Sequence, residues 1–287
     1  MYGKIMRAIQ DQAVVTVIPD GSSMPALTVA QIEQLASHYG IAAKNVEIMA
    51  LENGIVPFRY LRNLKTYSLA DQVRLLRSRM AVVGLGGLGG TVIEILARAG
   101  VGSLDLIDGD IFEDHNLNRQ LLSTEEGLGY SKAKAARERV RAINASVEVT
   151  IYDLALTPEN ASRMIGASEV VIDCLDDIAT RFNLETAARQ AALPLVSAAV
   201  AGLTGHITTI FPGDLGLSLI YGARDSLQRT KGAETTLGCL PQAVCAIASL
   251  ESAEALALVL GKSRALLRNR MLYVDLNENR FEMLRLV

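Results

Sequence analysis

From residue 79 onward, short apolar runs alternate with segments whose apolar residues recur every three or four positions. Residues 80–83, 103–107, 147–151, 169–173 and 194–198 are predicted strands. Between them lie predicted helices at 89–99, with Val92, Ile95 and Leu96 on one face, at 131–144, at 157–165 with Thr157-Pro158 as cap and first position, and at 177–191. This alternation predicts an α/β, doubly wound, Rossmann-like, mostly parallel sheet. Residues 205–211 alternate in the β-branched manner, and 271–286 predict two strands joined by a turn at Asn277-Glu278-Asn279, so late antiparallel strands complete the sheet. Residues 241–261 predict a long apolar helix. Residues 213–237 carry weak periodicity and mixed polarity (Arg224, Asp225, Gln228, Arg229, Lys231) and are long for a connection, which usually marks a functional or mobile segment.

The first 55 residues follow another pattern and predict a small N-terminal subdomain of helical and mixed structure. A β-branched run at 13–18 ends in a turn signal at Pro19-Asp20-Gly21. Residues 28–39 predict a helix capped by Thr28, with Gln31 completing the box and Gly40 stopping it. A second short helix is predicted at 45–52, capped by Asn45 and ended by Gly54. Two short helices around a glycine turn resemble a helix-turn-helix, but a DNA reader needs a basic recognition face. The second helix carries Glu47 and Glu52 and no arginine or lysine in that range, so a docking or capping role is the expectation.

Composition narrows the classes. The chain has 287 residues, half of them hydrophobic, which suffices for one large core with an appendage. A formal net charge of −3 offers no general attraction to nucleic acid or anionic membrane. The three cysteines, Cys174, Cys239 and Cys245, form no C-x-x-C pair, and an odd number suits a reducing compartment. No apolar h-region follows Met1, and charges (Glu94 and Arg98; Glu251 and Glu254) interrupt the most apolar stretches. A cytoplasmic protein without a membrane span is expected.

The chemistry concentrates between residues 80 and 129. Gly84, Gly86 and Gly89 fit G-x-G-x-x-G between a predicted strand and helix, where backbone amides can approach a phosphate. Asp108 closes the next strand, where a carboxylate can accept from ribose hydroxyls, with Asp110 a less favoured substitute. Two chemistries compete for such a site. Hydride transfer with a nicotinamide would need a proton donor, and only His38, His115 and His206 exist, of which His206 alone could face the site. ATP chemistry needs cations for the phosphates and a carboxylate for magnesium. Asn118, Arg119 and Gln120 follow Asp108 on a loop, Lys132 lies just inside the next helix, and Asp173 and Asp176 close the fourth strand.

These residues also carry a family likeness. Arg59-Tyr60-Leu61-Arg62-Asn63, Gly84-Leu85-Gly86-Gly87-Leu88-Gly89, Ala99-Gly100-Val101-Gly102, Leu106-Ile107-Asp108, Asn116-Leu117-Asn118-Arg119-Gln120, Ser131-Lys132-Ala133-Lys134, Asp173-Cys174-Leu175-Asp176 and Pro194-Leu195-Val196-Ser197-Ala198 occur in order and with matching gaps. From about residue 56 to the C-terminus the chain resembles the ThiF/MoeB/HesA family, bacterial relatives of ubiquitin-activating enzymes. The resemblance implies an adenylation domain at 56–287. It implies that Gly84, Gly86, Gly87, Gly89 and Asp108 hold adenosine and α-phosphate, and that Asn118, Arg119, Gln120 and Lys132 contact the phosphates. It further implies that Asp176 holds Mg2+ and that Arg62 reaches the γ-phosphate from the other subunit of a homodimer. In the family, the C-terminal carboxylate of a small ubiquitin-fold sulfur carrier, typically ending in Gly-Gly, attacks the α-phosphorus of ATP to give an acyl-adenylate and pyrophosphate. The same chemistry on a peptide, a tRNA modification or a small carboxylate, and a non-catalytic nucleotide-binding scaffold, are the alternatives.

Two departures stand out. Many relatives carry two C-x-x-C pairs that bind zinc; this chain has none, so no zinc is expected. Some use a cysteine in the crossover loop as an acyl acceptor, whereas residues 213–237 contain none. Cys239 follows at a helix start, where a thiol pKa can fall, but a packing role is the simpler expectation, with Cys174 and Cys245 both buried. Chemistry is therefore expected to stop at the adenylate.

Overall fold

A computed structural model describes residues 2–18, 21–226, 231–262 and 266–287. The N-terminal segment forms α1 (Tyr2–Gln12), β1 (Val14–Val17), β2 (Ser23–Leu27), α2 (Val29–Tyr39), α3 (Ala43–Glu52) and β3 (Val56–Pro57). The strands form a separate sheet in the order β1-β2-β3. Ile5, Met6 and Ile9 of α1 pack on Leu27, Ile32, Leu35 and Val46. Helix α1 was not among the predicted elements, although its apolar residues stand at helical spacing. The Thr28–Gln31 capping box and the left-handed Gly40 match expectation. Pro19 and Asp20 of the predicted turn lie outside the described residues.

Asn45 does not cap α3. The helix begins at Ala43, because Ala42 takes the extended N-cap backbone and its carbonyl already accepts from the Asn45 N–H at 2.9 Å. Every residue from Val46 to Leu51 is buried, and α3 packs between α2 and α4 (Leu69–Arg77). Such a helix has no free face for a DNA groove. A second capping box, Ser68 with Asp71, starts α4, which was likewise not among the predicted elements.

The larger sheet contains β4 (Arg79–Val83), β5 (Ser103–Ile107), β6 (Glu148–Tyr152), β7 (Val170–Asp173), β8 (Leu195–Ala201), β9 (Thr204–Ile210), β10 (Arg270–Asp275) and β11 (Arg280–Arg285). Their order is β11-β10-β9-β8-β7-β4-β5-β6. The strands from β8 through β7, β4 and β5 to β6 run parallel, and β9, β10 and β11 are added antiparallel, as the pattern predicted. Alternate strand residues serve opposite layers. Met80, Val82, Leu104, Leu106 and Ile172 pack on α5 (Gly87–Ala99), α6 (Lys132–Ile143) and α11 (Pro241–Val259). Ala81, Val83, Ile107 and Val171 pack on α7 (Ala161–Ile165) and α8 (Ile178–Gln190). Helix α7 is shorter than the predicted 157–165, because Asn160 turns back: its Oδ1 accepts from the Thr157 N–H at 2.8 Å and its Nδ2 donates to the Ala155 carbonyl at 2.9 Å.

By length and composition α11 could cross a membrane. It lies instead against α5 and the sheet, and buries Glu251 and Glu254. Glu254 is matched by Thr209 Oγ1 and the Leu267 N–H, each at 2.5 Å. Cys245 sits on the outer face of α11 and is exposed, contrary to expectation. Among the described residues, the long connection after β9 carries the short helices α9 (Ser218–Tyr221) and α10 (Glu234–Leu237).

A buried polar network ties the N-terminal segment to the larger unit. The Tyr60 hydroxyl donates to Glu47 Oε2 at 3.3 Å and accepts from Asn144 Nδ2 at 3.0 Å, while Lys44 reaches Glu148 at 2.9 Å. Tyr60 belongs to a 3-10 turn, Phe58–Asn63, that also carries Arg62.

Candidate active site

In an open α/β sheet, crevices form at strand carboxyl ends where the strand order reverses. Here β4 lies between β5 and β7, and a cavity of about 520 Å³ opens over their ends and continues across β8 and β9 to β10. The turn from β4 into α5 forms its near wall. Gly84 takes φ +89°, and a Cβ there would lie 2.7 Å from the Cys174 carbonyl oxygen. A Cβ on Gly89 would lie 1.8 Å from the Gly84 carbonyl oxygen, so neither position accepts a side chain. Gly86, the N-cap of α5, supplies no side-chain cap, and the free amides of the first turn of this 13-residue helix are available to an anion. Gly84, Gly86 and Gly87 line the cavity; Gly89 packs behind them.

Asp108 spends both carboxylate oxygens on shaping this wall. Oδ2 accepts from the Leu85 N–H at 2.6 Å and Oδ1 from the Asp110 N–H at 2.8 Å. Burial raises its pKa, with the two backbone donors and Lys132 pulling the other way. Each oxygen has a second lone pair, and the residue lines the cavity. Lys132, one residue inside α6, is buried, and its ammonium is 3.0 Å from Asp110 Oδ2. Its burial sets it apart from a solvated helix lysine.

Arg119 lines the cavity, with Nη1 donating to the His115 carbonyl at 2.8 Å and to Asn118 Oδ1 at 2.9 Å. Gln120 is buried against Gly86, and its Oε1 has no hydrogen-bond partner among the described residues. Asn118 does not line the cavity; its Nδ2 donates to the Cys239 carbonyl at 3.1 Å. Arg62 is exposed and lies outside the cavity of its own chain.

Asp176 projects at the cavity edge, but its Oδ2 is paired with Lys231 at 2.6 Å. Partial desolvation at the cavity edge opposes its ionisation, yet the Lys231 ammonium outweighs that and holds the carboxyl below the usual range. The peptide leading to it is clamped from below. Asp173 Oδ1 accepts from the Leu175 N–H at 3.1 Å, and Arg181 donates to the Leu175 carbonyl. Arg181 is itself buried and paired with Asp173 at 2.9 Å, with Ser197 Oγ 2.7 Å from the same carboxylate oxygen. Sequence reasoning missed Arg181 and Lys231. Arg181 could have been suspected, because it shares a helix face with Ile178, Phe182 and Glu185; nothing local flags Lys231.

Two of the thiols, Cys174 and Cys239, are poorly placed for nucleophilic work. Burial, together with Glu251 and Asp173, pushes Cys174 well up. Burial also raises Cys239, although Arg119 works against it.

A glycine turn feeding an uncapped helix, a strand-end carboxylate and two cations around one crevice define an α/β enzyme that binds a nucleotide through its phosphates. The chain belongs to the ThiF family, whose model matches residues 60–287. It is 34% identical over 213 residues to the SAMP-activating enzyme E1 of Haloferax volcanii, covering 74% of this chain and 77% of that one. It is 35% identical over 163 residues to the adenylyltransferase and sulfurtransferase MOCS3 of Arabidopsis thaliana, covering 55% of this chain and 35% of that one. Among solved structures, E. coli MccB with ATP superposes with a TM-score of 0.67 at 20% identity, over 89% of this chain and 82% of that one. The protein is an adenylyltransferase that uses ATP.

Proposed function

We propose that this protein activates the C-terminal carboxylate of a ubiquitin-fold sulfur carrier, ending in Gly-Gly, as an acyl-adenylate. The observation that carries this reading is the convergence of Lys132, Arg119 and Gln120 with the glycine turn on a cavity that runs on past the nucleotide wall. A C-terminal carboxylate is ionised at neutral pH, since model values lie near about 3.5. It needs no general base, so the scarcity of histidine is no obstacle. One carboxylate oxygen forms a bond to the α-phosphorus, the bond from that phosphorus to the bridging oxygen breaks, and pyrophosphate departs with the electron pair. The protein's task is in-line positioning and compensation of charge on the leaving group. The amides of the glycine turn and Asp108 would orient α-phosphate and ribose. Lys132, Arg119 and Gln120 would face the departing phosphates, with Asn118 bracing Arg119.

Among the described residues no group of three or more metal-binding side chains comes together. Magnesium carried on a triphosphate needs only one or two protein carboxylates, because phosphate oxygens and water complete its octahedron. Asp176 fits that requirement once Lys231 leaves it. Magnesium would there neutralise phosphate charge. Arg62 would act from the second copy of a homodimer. Ile111, Leu117 and Leu121 are large apolar side chains left exposed on the stretch bearing Arg119, and a second copy seated there would cover them. The three free thiols suit a cytoplasmic setting.

The test is ATP–pyrophosphate exchange with candidate carriers. Exchange dependent on a carrier's C-terminal carboxylate is expected; no exchange together with no ATP binding ends the reading. A peptide substrate is the second reading. It is favoured because the family model starts at residue 60, whereas the likeness to MccB, also solved with MccA, spans 89% of the chain and so reaches into the N-terminal segment.

A further inference from the structure

The turn Phe58–Asn63 sits at the far ends of the two helices whose first turns border the cavity. Helix α5 starts at Gly87 in the cavity wall, and a Cβ on its C-cap, Gly100, would lie 2.7 Å from the Tyr60 ring. Helix α6 starts at Lys132, and its C-cap, Asn144, donates to the Tyr60 hydroxyl at 3.0 Å. With 13 and 12 residues, the two helices span about 20 and 18 Å, more than one arginine side chain can cross. Arg62, carried on this turn, is thus too far from the phosphate positions of its own chain. It is exposed and makes no hydrogen bond or ion pair among the described residues.

Its neighbours in the turn are held from both sides. Asn63 Nδ2 donates to Gln72 Oε1 at 2.9 Å, and Gln72 Nε2 donates in turn to the Ala99 carbonyl at 2.9 Å. Arg59 donates to Asn144 Oδ1, and its Nε lies 3.4 Å from Glu47 Oε1. Tyr60 and Glu47 are fully buried, and their contact at 3.3 Å joins the turn to α3. A buried polar network of this kind resists rearrangement, because each broken contact leaves a buried group without its partner. Arg59, Tyr60 and Asn63 are therefore anchored inward while one cation is held outward. A guanidinium fork matches phosphate geometry, and a fixed support reduces the ordering cost of using it. Glu47 precedes the residues matched by the family model, which begins at residue 60.

We propose that Glu47, Tyr60 and Asn144 are positioning residues that hold this turn so that Arg62 is presented to the terminal phosphate of a nucleotide bound by a second copy. The N-terminal segment, through Glu47, thereby serves the neighbouring copy's site rather than its own. This rests on the reading that Arg62 acts across a homodimer and deepens it, because it assigns the residues that aim the guanidinium.

Isothermal titration of the full-length protein with ATP and with AMP, which lacks the terminal phosphates, separates aiming from folding. Arg62→Ala should weaken ATP binding by roughly 10- to 150-fold, the worth of a charge-assisted hydrogen bond, and leave AMP within about two-fold of wild type. Tyr60→Phe and Glu47→Leu should each weaken ATP about five-fold, again sparing AMP, as loss of one neutral hydrogen bond loosens the turn. Added to Arg62→Ala, either substitution should cost ATP less than about a further two-fold, because residues acting through one group are not additive. Glu47→Gln, which keeps an acceptor for the Tyr60 hydroxyl, should retain most of the ATP affinity. Lys44→Met breaks the Lys44–Glu148 pair at the same junction without touching the turn, and both affinities should stay within about two-fold of wild type. ATP binding unchanged in Tyr60→Phe and Glu47→Leu, while Arg62→Ala weakens it, overturns this proposal alone. So does a loss shared equally by ATP and AMP, or one that persists in full beside Arg62→Ala, since either marks a network that supports only the fold. If Arg62→Ala itself bound ATP like wild type, the role of Arg62 across the dimer would fall, and this proposal with it.

Discussion

Lys132 and Asp110 form a lopsided pair, and substituting each partner separates a functional lysine from a structural one. The lysine side chain is 8% exposed, whereas that of Asp110 is 74% exposed, with 3.0 Å between charged atoms. A pair with one end in water stabilises a fold by about 1 kcal/mol at most. Lys132→Met keeps most of the buried stem and removes a charge that is costly to bury, so unfolding free energy should change by less than about 1 kcal/mol. Binding should respond differently. A charge-assisted hydrogen bond to phosphate is worth about 1.5–3 kcal/mol, which corresponds to ATP affinity weakened by roughly 10- to 150-fold. Asp110→Asn should act with the opposite sign, because Asp110 competes with phosphate for the same ammonium. Its ATP affinity should hold or rise. Isothermal titration with ATP, pyrophosphate exchange and urea denaturation on both variants make the comparison. If Lys132→Met bound ATP within about two-fold of wild type and lost several kcal/mol of stability, the lysine would be a structural residue and the phosphate assignment wrong.

The pair Lys231–Asp176 is exposed at both ends, so Lys231→Ala should leave stability nearly unchanged. Freed of its competing cation, Asp176 should reach half-maximal exchange at magnesium concentrations up to about five-fold lower; an unchanged requirement would separate Asp176 from the metal. Gly89→Ala sets a methyl 1.8 Å from the Gly84 carbonyl oxygen, and at least about 4 kcal/mol of stability or all nucleotide binding should be lost, by denaturation and titration respectively. His206, with a pKa of about 4 against an ordinary 6.5, takes up a proton between those values in the unfolded chain only. Its effect is therefore absent above pH 6.5 and destabilises progressively as pH falls toward 4, by up to about 3 kcal/mol, so His206→Gln should flatten the acid limb of the stability curve. Matching acid limbs for the two proteins would contradict this. Elemental analysis should find no stoichiometric zinc, since the three cysteines include no C-x-x-C pair.

Much of this protein is written locally. The Rossmann-like alternation, the late antiparallel strands and the Thr28–Gln31 box are legible because strand period, helix period and cap chemistry are properties of neighbouring residues. The glycine turn is legible for the same reason: Gly84 and Gly89 collide with atoms a few residues away or on the adjacent strand end if given a side chain. Elements with weaker local signals were missed or misplaced. The apolar spacing of α1 is diluted by polar neighbours, α3 starts at Ala43 because backbone geometry rather than Asn45 provides the cap, and Asn160 turns back to shorten α7. Cys245 sits in an apolar stretch yet faces outward, because which side of a nearly uniform helix is covered depends on what lies beside it. The site shows the same division. Asp108, Arg119, Gln120 and Lys132 stand close in the chain, so motif spacing brings them into view. The Lys231–Asp176 pair, the Arg181 clamp on Leu175 and the row from Ala199 through His206 to Tyr273 join residues from different strands, helices and a long crossover. Periodicity reports what a residue does to its own element; which distant side chain finally stands beside it is settled by how the sheet closes and the layers pack.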